Sequence, residues 1–230
     1  MSTVKGIVKM HVRDKWTWFY VPWIILLSSF IINLFIAGVI PIDDEEIITG
    51  GLSSIFIYTI VNGIVSVHQT FPFALGLSVR RRDYFAGSML MCVLSGACVS
   101  VVLTFLSYIE HRVIDGWGVR LYFFHLPYIS DGSVLQQFIV CFSLMVFMYL
   151  LGFTVSCLFR RFGKTGLYTG AIIGLLLGTV LGYASNYYGW WGGIFDFFRG
   201  YSAFDIALFL FPLELLLVCF SYLLLRRCTV

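Results

Sequence analysis

Residues 71–87 read FPFALGLSVRRRDYFAG, a short charged passage set between two long apolar runs. Arg80, Arg81 and Arg82 follow a segment that carries no charge after Glu46, and another apolar run begins at once behind them. Short loops rich in arginine stay on the cytoplasmic side of a bilayer. The passage therefore predicts a chain that crosses a membrane on both sides of it. Between Pro72 and Tyr84 there is room for a helical turn or two along the membrane surface, where a soluble partner could press. The plainer reading is a loop that fixes topology and does nothing else.

Composition agrees with membrane insertion. Hydrophobic residues make up 60% of the chain, charged residues 12%, and mean hydropathy is +0.92, where soluble domains carry about 25% charged residues. The 230 residues hold about six helices of roughly 20 residues with short connectors, and leave no room for a separate soluble domain. Cys92, Cys98, Cys141, Cys157, Cys219 and Cys228 lie in or beside apolar runs without CxxC spacing, so neither a disulfide framework nor a metal site is implied. Basic residues sit at the edges of the runs, which suits topology and not nucleic acid. The first apolar run is too long for a signal-peptide core and should stay in the mature protein.

Taken in order, residues 1–17 predict an interfacial helix. Lys5, Lys9 and Arg13 share one face, with Val4, Ile7, Val8 and Val12 mostly away from it, and His11 and Asp14 interrupt the apolar side. Six spans follow, over about 18–41, 51–73, 85–108, 134–158, 166–184 and 203–225. The acidic run Asp43, Asp44, Glu45, Glu46 closes the first and reads as a solvated turn. Placing both termini in the cytoplasm leaves only Arg112, Arg120 and Arg199 outside, an asymmetry large enough to set orientation. Such runs exclude a β-barrel, whose strands alternate and are about half as long. The fold class predicted is an all-α polytopic membrane protein, one domain over 1–230. Its aromatic passage at 185–200, with Trp190, Trp191, Phe195, Phe197 and Phe198, should form a short re-entrant or interfacial helix between the fifth and sixth spans.

Four groups of residues invite a functional reading. Thr59, Asn62, Ser66 and Gln69 fall on one face of the second span; they make either interhelical hydrogen bonds or a wall of a substrate pathway. Glu214 lies nearly midway along the sixth span, two residues after Pro212, as the only ionisable residue so deep. It is a functional carboxylate, a protonated one, or one bonded to backbone that the proline frees. Gly166, Gly170, Gly174, Gly178 and Gly182 recur every four residues and make a smooth stripe for close helix packing, inside the chain or against a second copy. Gly163, Lys164 and Thr165 spell GKT, but the first glycine of a phosphate loop is replaced by Leu158 and no strand precedes it.

With its predicted spans, inner termini, interfacial helix and basic passage at 71–87, the chain resembles the permease subunits of ABC-2 type ABC transporters, especially the small ones of Gram-positive bacteria. The resemblance covers the whole chain in architecture and only residues 71–87 in motif. It implies a coupling segment at 74–84, with Arg80, Arg81, Arg82, Asp83 and Tyr84 contacting a separate ATPase subunit that holds ATP and Mg. It implies a second permease chain, identical or different, facing this one across a route lined by the second and fifth spans. Membrane lipids surround it, and no nucleic acid is involved. The chain itself would hold no cofactor and no catalytic residue. Export by alternating access from the plasma membrane of a bacterium follows from the same resemblance, and lipids, lipopeptides, antimicrobial peptides and hydrophobic drugs all suit the largely uncharged spans. Rival readings are the substrate-binding membrane subunit of an energy-coupling-factor importer, a membrane-embedded enzyme using Glu214 or the acidic run, and a sensor or immunity protein without transport.

Overall fold

The computed structural model describes residues 3–39, 46–130 and 132–228. Asp43, Asp44 and Glu45 of the acidic run lie outside them. Among the described residues the fold is all-α apart from one two-residue parallel pairing of Ile47–Ile48 (β1) with Leu121–Tyr122 (β2). Among the described residues five helices are long and apolar enough to cross a membrane: Trp16–Val39, Gly50–Gly76, Arg81–Ile114, Val134–Tyr187 and Ala203–Arg226. They make this a multi-pass membrane protein.

The N-terminal helix α1 (Thr3–Arg13) is packed more firmly than an interfacial helix on lipid would be. Ile7 and His11 are its buried residues, and a Cβ placed on Gly87 would lie 2.7 Å from Ile7 Cβ. The absence of a side chain at Gly87 is what lets α1 lie on α5 (Arg81–Ile109). The buried face differs from the one expected, because Val12 is exposed and His11 takes the inward place. His11 Nε2 lies 3.2 Å from Ser88 Oγ, and its ring meets Trp18 edge-on at 5.2 Å. A polar residue tolerates burial when it is hydrogen-bonded, so histidine here is an anchor and not an interruption.

Helix α2 (Val21–Val39) continues from a π-helical turn at Trp16–Tyr20. Helix α3 (Ser53–Val65) runs through a second π turn, Ser66–Thr70, into α4 (Phe71–Gly76). The second span thus reaches the arginines almost without a break. Helix α6 (Val134–Tyr187) opens with a capping box of Ser133 and Gln136, and α8 (Ala203–Arg226) with one of Ser202 and Asp205; each satisfies amide donors that a helix start leaves free. The 54 residues of α6 would reach about 80 Å as one rod at 1.5 Å per residue, far beyond a bilayer core of about 30 Å. Gly163, at φ 67° and ψ −164°, breaks it. A Cβ on Gly170 would lie 3.7 Å from Leu158 Cδ2, although twelve helical residues would part them by about 18 Å. The chain therefore doubles back at Gly163.

Two clusters of buried side chains hold the bundle. One, at the arginine end, gathers Trp18, Phe71, Tyr84, Tyr149, Phe153 and Leu225; the other, at the opposite end, gathers Leu26, Leu52, Ile55, Phe123, Phe124 and Met145. The tightest helix crossing is between α3 and α6. A Cβ on Gly63 would collide with the Tyr149 carbonyl, and one on Gly152 with the Ile60 carbonyl, so two glycines bring the backbones together as small residues do in membranes. By contrast, no residue from 163 to 200 is buried, including all of α7 (Trp190–Arg199).

Candidate functional site

The arginine passage is shorter as a loop than its sequence suggests. Helix α4 ends at Gly76, Ser78 turns the chain at φ 58°, and α5 begins at Arg81. The amides of Ser78 and Val79 donate to the carbonyls of Leu75 and Ala74 at 2.9 and 3.1 Å, which closes the helix end. No separate surface helix spans 74–84. Arg80 instead stands in extended conformation at the N-cap position of α5 without a side-chain capping bond, and Arg81, Arg82 and Asp83 form the first turn, with Asp83 favourably placed at the positive end of the helix dipole.

Tyr84, expected among the surface contacts, is fully buried. Its hydroxyl lies 2.8 Å from Thr70 Oγ1 and donates to the Ser66 carbonyl at 3.2 Å, and its ring packs against Phe71 at 5.2 Å. This corrects its role: it bolts the start of α5 to the end of α3 and cannot reach a soluble partner. Two arginines add further ties. Arg81 Nη1 donates to the Arg226 carbonyl at 2.9 Å and Arg160 Nη2 to the His68 carbonyl at 2.6 Å. Displacing the turn at 77–80 would therefore pull on α3, α5 and α8 together.

The polar stripe faces inward as predicted for Asn62 and Ser66, both buried, while Gln69 is exposed. Thr59 Oγ1 donates to the Ile55 carbonyl at 2.8 Å and lies 3.3 Å from Met145 Sδ. The void beside Thr59 and Asn62, closed by Trp18, Tyr58, Cys92 and Tyr149, measures about 30 Å³, room for a single water. That void is too small for a substrate. Glu214 is buried, and Ser143 Oγ donates to its Oε1 at 2.8 Å. Its partner is thus a side chain of α6 and not backbone freed by Pro212. The glycine stripe meets little of its own chain: nothing lies within 4 Å of a Cβ placed on Gly174, Gly178 or Gly182, while Gly166 and Gly170 touch Phe162 and Leu158.

The far end holds a second site, in the connection between the third and fourth predicted spans. Glu110 begins a π turn, Glu110–Ile114, and is fully buried. Its Oε1 accepts from the Trp117 indole at 2.7 Å and the Phe123 amide at 2.9 Å; its Oε2 accepts from the amides of Phe124 and His125 at 2.6 and 2.5 Å. Four donors converge on one carboxylate, the arrangement a buried charge requires. This hub holds backbone that would otherwise be strained, since Asp115, Trp117 and Arg120 all have positive φ, which costs energy for residues other than glycine. Phe123 and Phe124 then plug the bundle against Phe30, with ring centroids 5.3 and 5.4 Å away. Tyr122 donates to Asp115 Oδ1 at 2.9 Å, and that carboxylate raises the phenol above its ordinary range. One signal was available in the sequence: LYFFHL at 121–126 is too apolar for a solvated loop.

No metal-binding cluster of three or more His, Cys, Asp or Glu occurs among the described residues. Comparisons with family models, with curated proteins and with solved structures found no match to this chain.

Proposed function

We propose that the chain is the transmembrane permease subunit of an ATP-driven ABC-2 type exporter in a bacterial plasma membrane. The two limbs of α6 cross separately, which gives six spans with both termini in the cytoplasm. A separate ATPase subunit holds ATP and Mg, and a second permease chain lies against the glycine stripe that this chain leaves bare. The cargo class is hydrophobic or amphipathic.

The observation that carries the reading is the arginine turn. It presents Arg80, Arg81 and Arg82 at one end of the bundle, and through Tyr84 and the Arg226 carbonyl it is tied to helices that cross the membrane. A partner binding two states of that turn with different affinity would shift the helices between them, which is all that coupling requires.

The test is purification of the tagged chain from its native membrane in mild detergent, beside a variant carrying Arg80→Glu, Arg81→Glu and Arg82→Glu. An ABC ATPase accompanies the parent and is lost from the variant. Absence of an ATPase from both, or its retention by the variant, sinks the reading.

A further inference from the structure

The loop end carries a polar cavity that opens directly onto an apolar groove. The cavity, of about 510 Å³, is lined by Ser107, His111, Arg112, His125, Ser130 and Gln137. The groove, of about 680 Å³, runs between α5 and the start of α6 along Val101, Phe105, Leu135 and Phe138. Tyr108 and Val134 line both, so the two are one continuous surface with a polar head and an apolar tail.

Charge and geometry say what fits. Arg112 makes no ion pair among the described residues, and the neighbouring carboxylate of Glu110 is fully taken up by its four donors. The His111 and His125 rings stack in parallel, with centroids 4.2 Å apart, and Ser107 Oγ lies 3.1 Å from His125 Nδ1. Other titratable groups beside them are Tyr122, whose ring is 6.3 and 6.5 Å from the two imidazoles, and Asp115, which accepts from the Tyr122 hydroxyl. Among the described residues the head region thus offers a guanidinium without an ion-pair partner beside imidazoles and hydroxyls. An anion with several acceptor oxygens matches it. In the groove, Thr104 Oγ1 is buried without a partner, and with the Tyr108 phenol it makes the polar part of a wall otherwise lined by Val101, Phe105, Val134, Leu135 and Phe138. Along α5 and the π turn that continues it, Val101 to Arg112 spans about 16 Å, close to half of a bilayer core of about 30 Å.

We propose that this surface binds one anionic phospholipid of the leaflet at the loop end, with the phosphate beside Arg112 and His111 and an acyl chain in the groove of Val101, Phe105 and Phe138. The site needs neither an ATPase nor transport, so it stands or falls apart from the permease reading.

The experiment is native mass spectrometry of the full-length detergent-purified chain, titrated with phosphatidylglycerol and with phosphatidylcholine of the same acyl chains. Arg112→Gln with His111→Gln, both exposed positions, should weaken phosphatidylglycerol binding about tenfold. Val101→Trp, which narrows the groove from an exposed position, should weaken it about threefold. Phosphatidylcholine binds more weakly than phosphatidylglycerol to the parent. Millimolar inorganic phosphate does not displace the lipid, because it lacks the tail. Three results overturn the proposal: equal binding of the two lipids, displacement by inorganic phosphate, or a loss confined to a control carrying Arg80→Gln, Arg81→Gln and Arg82→Gln, which would move the lipid to the opposite end.

Discussion

The two ends of this bundle are built in opposite ways. At the loop end a single buried carboxylate, Glu110, gathers four donors and pins a strained segment and two phenylalanines onto the helices. At the arginine end the connection is four residues long, Arg80 and Arg82 are exposed, and the ties to the bundle are one hydrogen bond each from Arg81 and Arg160 and two contacts of the Tyr84 hydroxyl. A hub with four charge-assisted bonds has one arrangement, whereas single bonds to carbonyls can be exchanged one at a time. The contrast teaches where movement could start: under the proposed coupling the loop end would be the fixed point and the arginine end the handle.

Removing the hub should have the largest effect. Glu110→Ala leaves three backbone amides and an indole without an acceptor in a buried place, and should cost about 4 kcal/mol. Thermal unfolding in detergent measures the loss, and a change below about 1 kcal/mol would break the contrast between the ends.

A somewhat smaller effect is expected from pH at the arginine end. Burial holds the His11 imidazole down at about 4 from an ordinary 6.5, and nearby Asp14 offsets this only in part. The folded state therefore prefers the neutral ring, and the undocked state takes up a proton first as pH falls. Docking of α1 is fully stable above pH 6.5 and weakens by about 3 kcal/mol between 6.5 and 4. Amide exchange over residues 4–12, corrected for its intrinsic pH dependence, should show α1 loosening across that window. His11→Gln should remove the dependence, and a parent that does not respond would mean that the ring is not buried in solution.

The boundaries of most spans were legible in the sequence, because hydrocarbon tolerates only long apolar runs with satisfied backbone. The last predicted span, expected at 203–225, falls on the apolar helix Ala203–Arg226, the last of the five helices among the described residues that are long enough to cross. Apart from the polar face of the second span, where Asn62 and Ser66 are buried, which faces meet was not legible, since within lipid apolar surface gives no net drive to helix association and the apolar sides read alike. Thus the regular stripe from Gly166 to Gly182 drew attention, while the close crossing at Gly63 and Gly152 did not. Glu214 stood out by its depth, yet its carboxylate meets one side-chain donor, Ser143, where Glu110 at a helix end accepts from four donors. The amides that make Glu110 a hub belong to residues thirteen to fifteen positions later, and no local pattern announces that meeting.

The central claim, a locked loop end opposite an adaptable arginine end, is tested most directly by hydrogen–deuterium exchange on the unmodified chain in detergent. The account predicts slow exchange at the amides of Phe123, Phe124 and His125 although they lie in a connecting segment, and fast exchange across residues 77–80. Fast exchange at 123–125, or equal protection of the two connections, would contradict it.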